Sequence, residues 1–187
     1  TSKNLDFYNL SVFYSSKIFY DLEKFNDSIP LMEYILQTPQ CCPSNEDYYE
    51  ILQKIMISYN KTENPQKSIE LFEKIKNQKE SIPNEIFLSL CIFKADALSL
   101  LEKNLDAYNL YCDVVNNSEG NNCVVALKKA YILALEKSIG VNAGDFFSKA
   151  ASKFSENHEL VNEFWIRLGI DEVQKKNYKK AEEYFSN

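Results

Sequence analysis

The chain has 187 residues, of which 45% are hydrophobic and 26% charged, as is usual for a folded protein with a sizeable core. Glycine (4) and proline (5) are scarce, so the chain cannot supply the turn signals that a β-sandwich or barrel needs every ~8–12 residues. Neither GxGxxG nor GxxxxGK[ST] occurs, which excludes the common phosphate-binding loops. These features predict an all-α protein with polar connectors.

Charge and cysteine usage narrow the class of function. Lys plus Arg is 21 and Asp plus Glu is 27, and this net charge of −6 disfavours nucleic-acid binding, which normally requires a basic face. The 5 cysteines are odd in number and match no zinc-binding spacing, so we expect reduced thiols in the cytoplasm or nucleus. No run reaches the ~18 apolar residues of a membrane span, so we expect no membrane insertion.

Few residues could carry catalysis or bind a metal. The single histidine, His158, precludes an HExxH zinc motif and is expected beside a helix start. The adjacent carboxylates Glu46 and Asp47 would point about 100° apart on a helix, which does not suit paired acid–base work. Cys41 and Cys42 lie in a turn-rich connector. We therefore predict no catalytic, cofactor-binding or metal-binding residues, no cofactor and no enzymatic activity.

Ten helices are predicted along the chain from hydrophobic periodicity and helix-start signals. Asn64-Pro65 is typical of an N-cap followed by proline at the first helical position, and Ser44-x-x-Asp47 and Asn84 indicate further helix starts. Pro30 is expected in the first turn of its helix, where a missing N–H is harmless. The predicted helices span residues 5–22, 27–37, 46–61, 65–78, 84–102, 105–116, 122–138, 142–154, 158–175 and 178–186.

The predicted helices repeat in pairs. A small residue opens the second helix of each pair, and a bulky apolar residue follows four positions later. The small residues are Ser28, Ser68, Ala107, Ala143 and Ala181, and the bulky ones are Met32, Phe72, Tyr111, Phe147 and Phe185. Sixteen positions before the small residues lie the apolar residues Val12, Leu52, Cys91, Leu127 and Trp165. Because small residues let two antiparallel helices approach closely, the sequence predicts five helical hairpins in one register.

The last pair carries a family resemblance. Trp165-x-x-Leu168-Gly169, followed by Tyr178, Ala181 and Phe185, resembles the tetratricopeptide (TPR) pattern W-x₂-L-G-x₂-Y…A-x₃-F. Glu172 stands where that pattern has tyrosine, and the hairpins are 36 to 40 residues apart instead of the family's ~34. The resemblance implies a right-handed α-solenoid of about five irregular repeats, in a single domain over residues 1–187. Because the family template would continue its last helix, we expect the chain to be a piece of a longer protein.

The resemblance also implies a function. In the TPR family the first helices of successive repeats line a concave groove that receives an extended or helical peptide. We therefore expect a non-catalytic protein–protein interaction scaffold, a subunit of a larger intracellular assembly whose partner is a protein or peptide. A regulatory helical domain attached to an enzyme, and an RNA-binding helical-repeat module, stay open as alternatives. The groove positions carried onto this chain are Phe13, Lys17, Gln53, Lys54, Ile57, Phe93, Asp96, Lys128, Lys129, Ile166 and Arg167.

Overall fold

The described residues of the chain are helical wherever they form regular structure. The computed structural model describes residues 2–136, 139, 141, 144, 146–147 and 158–187, and no strand occurs among them. The helices are α1 (Ser2–Asp21), α2 (Phe25–Gln37), α3 (Asn45–Lys61), α4 (Pro65–Ile75), α5 (Asn84–Leu100), α6 (Asn104–Asn117), α7 (Gly120–Glu136), α8 (His158–Gln174) and α9 (Tyr178–Phe185). The all-α prediction is confirmed. Ala143 and most of the helix predicted over 142–154 lie outside the described residues.

The chain divides into two compact units, Thr1–Ala126 and Leu127–Asn187. In the first unit α1–α2, α3–α4 and α5–α6 form hairpins, α3 also packs against α2 and α5, and α5 packs against α4. The second unit contains the end of α7 and the hairpin α8–α9. A single repeat domain over residues 1–187 stays a prediction. The first unit has a core cluster made of Val12, Phe13, Met32, Ile35, Cys41, Ile51, Ile55 and Tyr59.

One backbone conformation closes four of the hairpins. We number each hairpin from the apolar residue of its first helix, so that Val12, Leu52, Cys91, Leu127 and Trp165 are position 0. The residues at position +11 are then Glu23, Glu63, Glu102 and Lys176, with left-handed φ angles of 57°, 58°, 60° and 63°. Position +11 of the remaining hairpin, Ser138, lies outside the described residues. A left-handed residue at one repeated position confirms the predicted register in these four hairpins.

Backbone hydrogen bonds show why the left-handed residue is needed. In each of these turns the N–H at position +12 donates to the carbonyl at position +7, as in the Schellman motif that satisfies the end of a helix. The bonds are Lys24 to Phe19 (2.8 Å), Asn64 to Tyr59 (2.9 Å), Lys103 to Leu98 (2.9 Å) and Asn177 to Glu172 (2.8 Å). The same turn geometry therefore sets how each second helix meets its first.

The small residues at the helix crossings are buried as predicted. Ser28, Ser68 and Ala107 have no exposed surface, and Ala181 is buried. Of the bulky residues four positions later, Met32, Phe72, Tyr111 and Phe147 are buried. Phe185 is more exposed, but its ring covers Gly169, where an added Cβ would lie 2.3 Å from the ring carbon Cε1. Glycine therefore permits the closest approach of α8 and α9.

The helix-start predictions hold at Ser44, Pro65 and Asn84, the first residue of α5, and fail in two details. The hydroxyl of Ser44 accepts a hydrogen bond of 3.1 Å from the Asp47 N–H, and Pro65 is the first residue of α4, both as predicted. The Asn64 side chain does not cap α4, because its Nδ2 donates to the Thr62 carbonyl instead (2.6 Å). The expectation for Pro30 is wrong. Because α2 begins at Phe25, Pro30 lies in the second turn and removes one helical hydrogen bond.

A three-residue ion cluster joins α4 to α5. The Lys94 ammonium lies 2.7 Å from Glu73 Oε1 and 4.7 Å from the centre of the Phe72 ring, and Lys76 also donates to Glu73. Hydrogen bonds from Lys76 and then Lys94 lower the pKa of Glu73 to about 2. The folded protein therefore stabilises the ionised form of this carboxylate.

The left-handed turns predict which substitutions stabilise the fold. Glycine adopts positive φ without the steric penalty that other L-residues meet, so we expect Glu63→Gly to raise the free energy of unfolding by about 1 kcal/mol. Urea denaturation followed by circular dichroism measures this. Glu70→Gly, at an exposed position inside α4, is the matched control and should lower stability by about 1 kcal/mol. A similar loss in both variants would contradict the role of the turn.

The Glu73 cluster predicts an acid-sensitive contribution to stability. A carboxylate whose pKa is lowered on folding stabilises the fold above its unfolded pKa, here near 4.5, and this contribution disappears as the pH falls toward about 2. We therefore expect the stability difference between wild type and Glu73→Gln to shrink steadily across that range. Thermal unfolding at a series of pH values measures it. A difference that does not change with pH would contradict the assignment.

Candidate partner-binding surface

Lys17 and Lys54 belong to a charge network that joins α1 to α3. Lys17 Nζ lies 2.7 Å from Glu50 Oε2, and Lys54 Nζ lies 2.9 Å from Asp21 Oδ1 and 3.5 Å from Glu50 Oε1. The hydrogen bond that Lys17 donates to Glu50 raises the pKa of Lys17. Both lysines lie where the sequence predicted partner contacts, yet carboxylates of this chain already neutralise them. Helices α1 and α3 therefore do not present a basic surface at these two lysines.

Two aromatic rings lie beneath these ammonium groups. The Lys54 nitrogen is 4.1 Å from the centre of the Tyr20 ring, and the Lys17 nitrogen is 5.2 Å from the centre of the Phe13 ring. Phe13 itself is only 1% exposed and belongs to the core cluster between α1, α2 and α3. The prediction that Phe13 lines a groove is therefore corrected, because its ring fills the space between helices and is not available to a partner.

A second group of predicted residues surrounds the contact between α3 and α5. Gln53, Ile57 and Asn60 share one face of α3, and Asn60 Nδ2 donates to the Phe93 carbonyl oxygen of α5 (2.9 Å). Asp96, one turn after Phe93, accepts a hydrogen bond from the Tyr111 hydroxyl. We call this surface the α3–α5 face; it consists of the half-buried residues Gln53, Ile57, Asn60, Phe93 and Asp96.

Asn60 is a residue of this face that the sequence analysis did not identify. Its Oδ1 atom is buried, and no donor among the described residues lies within hydrogen-bond distance of it. A buried acceptor without a partner is unfavourable unless a ligand or water supplies a donor. The α3–α5 face therefore combines apolar surface with one buried acceptor that lacks a donor among the described residues.

Four hydrogen-bonded contacts between successive first helices share one offset along the chain. The hydrogen-bonded side-chain or backbone groups are 33 residues apart in each of the pairs Lys17–Glu50, Asp21–Lys54, Asn60–Phe93 and Ser89–Asn122. Equivalent residues of these hairpins are 36 to 40 residues apart, so each helix meets its neighbour about one to two turns out of register. No pair of complementary side chains marks Asn60 in the sequence, because its partner is the backbone carbonyl of Phe93.

The remaining predicted residues belong to the second unit. Lys128 is exposed and Lys129 half-buried on α7, whereas Ile166 and Arg167 are exposed on α8. Arg167 Nη2 lies 2.9 Å from Glu163 Oε1, and the guanidinium carbon lies 5.9 Å from the centre of the Tyr131 ring. That ring packs against Phe147 and Phe164 in a buried aromatic cluster. That these residues share one groove with the first unit stays a prediction.

A separate cleft of about 510 Å³ lies between α2 and α4. Its Glu33 carboxylate accepts hydrogen bonds from the Tyr59 hydroxyl (2.8 Å) and from Lys67 Nζ (3.0 Å). Despite the opposing effect of burial, the bonds from Lys67 and Tyr59 lower the pKa of Glu33. These three polar groups therefore satisfy one another inside the cleft.

The reactive side chains are in unreactive environments. All five cysteines are free, and burial raises the pKa of Cys42 to about 12 and those of Cys91 and Cys112 to about 11. These thiols stay protonated at neutral pH, whereas the thiolate is the nucleophile.

Within the described ranges, no three His, Cys, Asp or Glu side chains are grouped so as to hold a metal ion. None of the described helices is long and apolar enough to span a membrane.

Two solved structures have a similar fold. Crystal structures of a candidate kinesin light chain of Podosopora anserina with nearly identical TPR-like repeats, and of a point variant of it, match this chain with TM-scores of 0.67 and 0.66. Each match covers 94% of this chain and 90% of the other, at 13% sequence identity. No protein-family model matches the sequence. No curated protein matches it either.

This likeness and the repeated turn identify the class of fold. The chain has a TPR-like helical-repeat fold, as the residues of its last hairpin predicted. At 13% identity the comparison supports the fold alone. Proteins with this fold are commonly protein-interaction scaffolds and are typically non-catalytic.

The charge network predicts the effect of reversing Lys54. Its side chain is only 15% exposed and lies beside two carboxylates, so we expect Lys54→Glu to lower the free energy of unfolding by about 2 kcal/mol. Lys128→Glu, at an exposed position on α7, is the control and should change stability by less than about 0.5 kcal/mol. Urea denaturation of both variants tests this. Equal stability of the two would show that the network does not hold α1 to α3.

Proposed function

We propose that this chain is a non-catalytic protein-interaction module that binds a peptide segment of another protein on the α3–α5 face. The observation that carries the proposal is the buried, unpartnered Oδ1 atom of Asn60 beside the half-buried Ile57 and Phe93. A rotation of the Asn60 side chain toward the surface would expose that oxygen, so that a peptide backbone N–H can donate to it while the peptide's side chains cover the apolar groups. The acceptor is unsatisfied in the free protein and gains a hydrogen bond in the complex. This difference in free energy favours binding.

The paired charges on α1 and α3 favour a partner that is not strongly acidic. Lys17 and Lys54 pair with Glu50 and Asp21, so they release few counterions on binding an anionic chain. The whole chain carries a net charge of −6, which opposes association with RNA. We therefore assign recognition to apolar contact and to hydrogen bonds with a neutral peptide backbone, as in other groove-binding modes.

The second unit and the cysteines supply further support for the scaffold role. Lys128, Lys129, Ile166 and Arg167 combine apolar and charged groups, which suits a further contact with the same partner or with another one. The five free cysteines suit a reducing compartment, and we propose a place in an intracellular assembly of the cytoplasm or nucleus. The scaffold role needs no reactive group, in keeping with the protonated thiols.

Selection of peptides tests the proposal without knowledge of the natural partner. The whole chain is immobilised and used to select binders from a random peptide library, and a selected peptide is titrated against variants by isothermal calorimetry. We expect Ile57→Glu and Asn60→Ala to weaken binding roughly tenfold or more, because each removes a central contact. Raising the salt concentration should change the affinity little.

The control variant carries a similar change elsewhere. Leu105 is 50% exposed on α6 and is not one of the residues of the α3–α5 face, so Leu105→Glu should leave the affinity unchanged. Circular dichroism of all three variants checks the fold. Equal weakening by Leu105→Glu, or none by Ile57→Glu and Asn60→Ala, would move the site off this face. Salt-sensitive binding of random-sequence RNA, with no selected peptide, would instead support a nucleic-acid role.

A further inference from the structure

A second cleft is lined by the two connectors on either side of the hairpin α3–α4. One connector, residues 38–44, contains the 3-10 turn Pro39–Cys41, and the other, residues 76–83, contains the 3-10 turn Lys76–Ser81. Residues of α2 and of the first two turns of α3 complete the lining. We call this space, of about 690 Å³, the connector cleft. Its volume is in the range of known ligand sites.

The lining of the connector cleft is uncharged. None of the described residues that line it is Asp, Glu, Lys, Arg or His, although 26% of the chain's residues are charged. Burial raises the pKa of Tyr48 and, to about 12, that of Cys42, so this phenol and this thiol are neutral at physiological pH. The cleft between α2 and α4, in contrast, contains Glu33 and Lys67. The connector cleft therefore favours an uncharged ligand, because an ion would lose hydration without gaining a charged partner.

Two tyrosine rings form the aromatic part of this lining. The rings of Tyr48 and Tyr49 meet edge to face, with their centres 6.3 Å apart. The Tyr49 hydroxyl donates to the Ser81 carbonyl oxygen (2.6 Å), which ties α3 to the second connector and holds this ring in place. Leu52 and Ile82, both buried, complete the apolar part of the lining. Because the aromatic surface is already formed, binding a ligand there costs little ordering of the protein.

The polar part of the lining consists mainly of side-chain amides. Gln40, Asn45 and Gln78 are exposed, and none of the described residues forms a hydrogen bond with their side chains. The half-buried Tyr48 likewise has no hydrogen-bond partner for its hydroxyl in the described part of the chain. Amide and phenol groups of this kind can donate to carbonyl oxygens. The connector cleft thus presents neutral donors beside aromatic rings.

These features match the chemistry of a proline-rich segment. Such a segment adopts the polyproline II helix, which has no internal hydrogen bonds and therefore leaves its carbonyl oxygens free to accept. Proline has no N–H, so the segment brings few donors that would need an acceptor in the cleft. Its rings pack against aromatic side chains, and its preformed helix loses little conformational entropy on binding.

An oligosaccharide fits the lining less well. Sugar hydroxyl groups donate as well as accept, and ionised carboxylates are the strongest acceptors for such donors. No carboxylate belongs to the described lining of the connector cleft. The balance of neutral donors and aromatic rings therefore favours a proline-rich segment over a sugar.

We propose that the connector cleft binds an uncharged, proline-rich segment of a partner protein. Carbonyl oxygens of the segment accept hydrogen bonds from the Tyr48 hydroxyl and from the Gln78 amide, and its proline rings lie against Tyr48 and Tyr49. The cleft lies within the compact unit Thr1–Ala126 and shares no residue with the α3–α5 face. The inference therefore does not depend on the peptide site proposed there.

Titration of the whole chain with an N-acetylated, C-amidated octaproline by isothermal calorimetry tests the inference. We expect one-to-one binding that added salt leaves unchanged, because no charge takes part. Tyr48→Phe and Gln78→Ala each remove one donor and should each weaken binding about fivefold, as expected for the loss of one neutral hydrogen bond. Gln66→Ala, at an exposed position of α4 that does not line the cleft, is the matched control and should bind like wild type.

Three results would overturn the inference. The first is a wild type that does not bind octaproline at millimolar concentration, and binding of cellohexaose in its place would assign the cleft to a sugar. The second is full affinity in both Tyr48→Phe and Gln78→Ala. The third is equal affinity for a blocked Gly-Ser octapeptide, which would exclude selectivity for proline.

Two further variants keep the result specific to this cleft. Asn60→Ala should leave octaproline binding unchanged, and weakening by this variant would move octaproline to the α3–α5 face. A failure of one site is thereby distinguished from a failure of the other. Should circular dichroism show that Tyr48→Phe is unfolded, Gln40→Ala removes another exposed donor of the cleft and makes the same comparison.

Discussion

The left-handed residue at position +11 is the constraint on which the rest of the fold depends. It reverses the chain within three residues and satisfies the end of the first helix, so that Ser28 or Ala107 meets its first helix without a gap. Three of the four described turns use glutamate there, although a left-handed non-glycine residue costs about 1–2 kcal/mol. Burial of residues such as Met32 offsets that strain. The repeat can therefore be built with little glycine.

The sequence predicted the parts of the fold that depend on helical periodicity. The register from Val12 to Trp165 and most helix ends follow from apolar spacing, and burial confirms them. It did not predict Phe13 in the core, because one helical position faces either the core or a groove according to how the helices cross. Nor did it predict Asn60, since the offset between facing helices is set by connectors that include two 3-10 turns. Such offsets are properties of packing and not of any single helix.

Because Lys17 and Lys54 are neutralised within the chain, the surface of α1 and α3 favours a different kind of partner from the one that free lysines would bind. Lys54 is held over Tyr20 by two carboxylates, so an approaching anionic partner would have to displace contacts that stabilise the fold. A partner that brings apolar groups and backbone donors displaces nothing. The cations that the sequence suggested as anchors therefore act within the protein. The proposed peptide site instead uses Ile57 and Asn60, which are uncharged and follow Lys54 on α3.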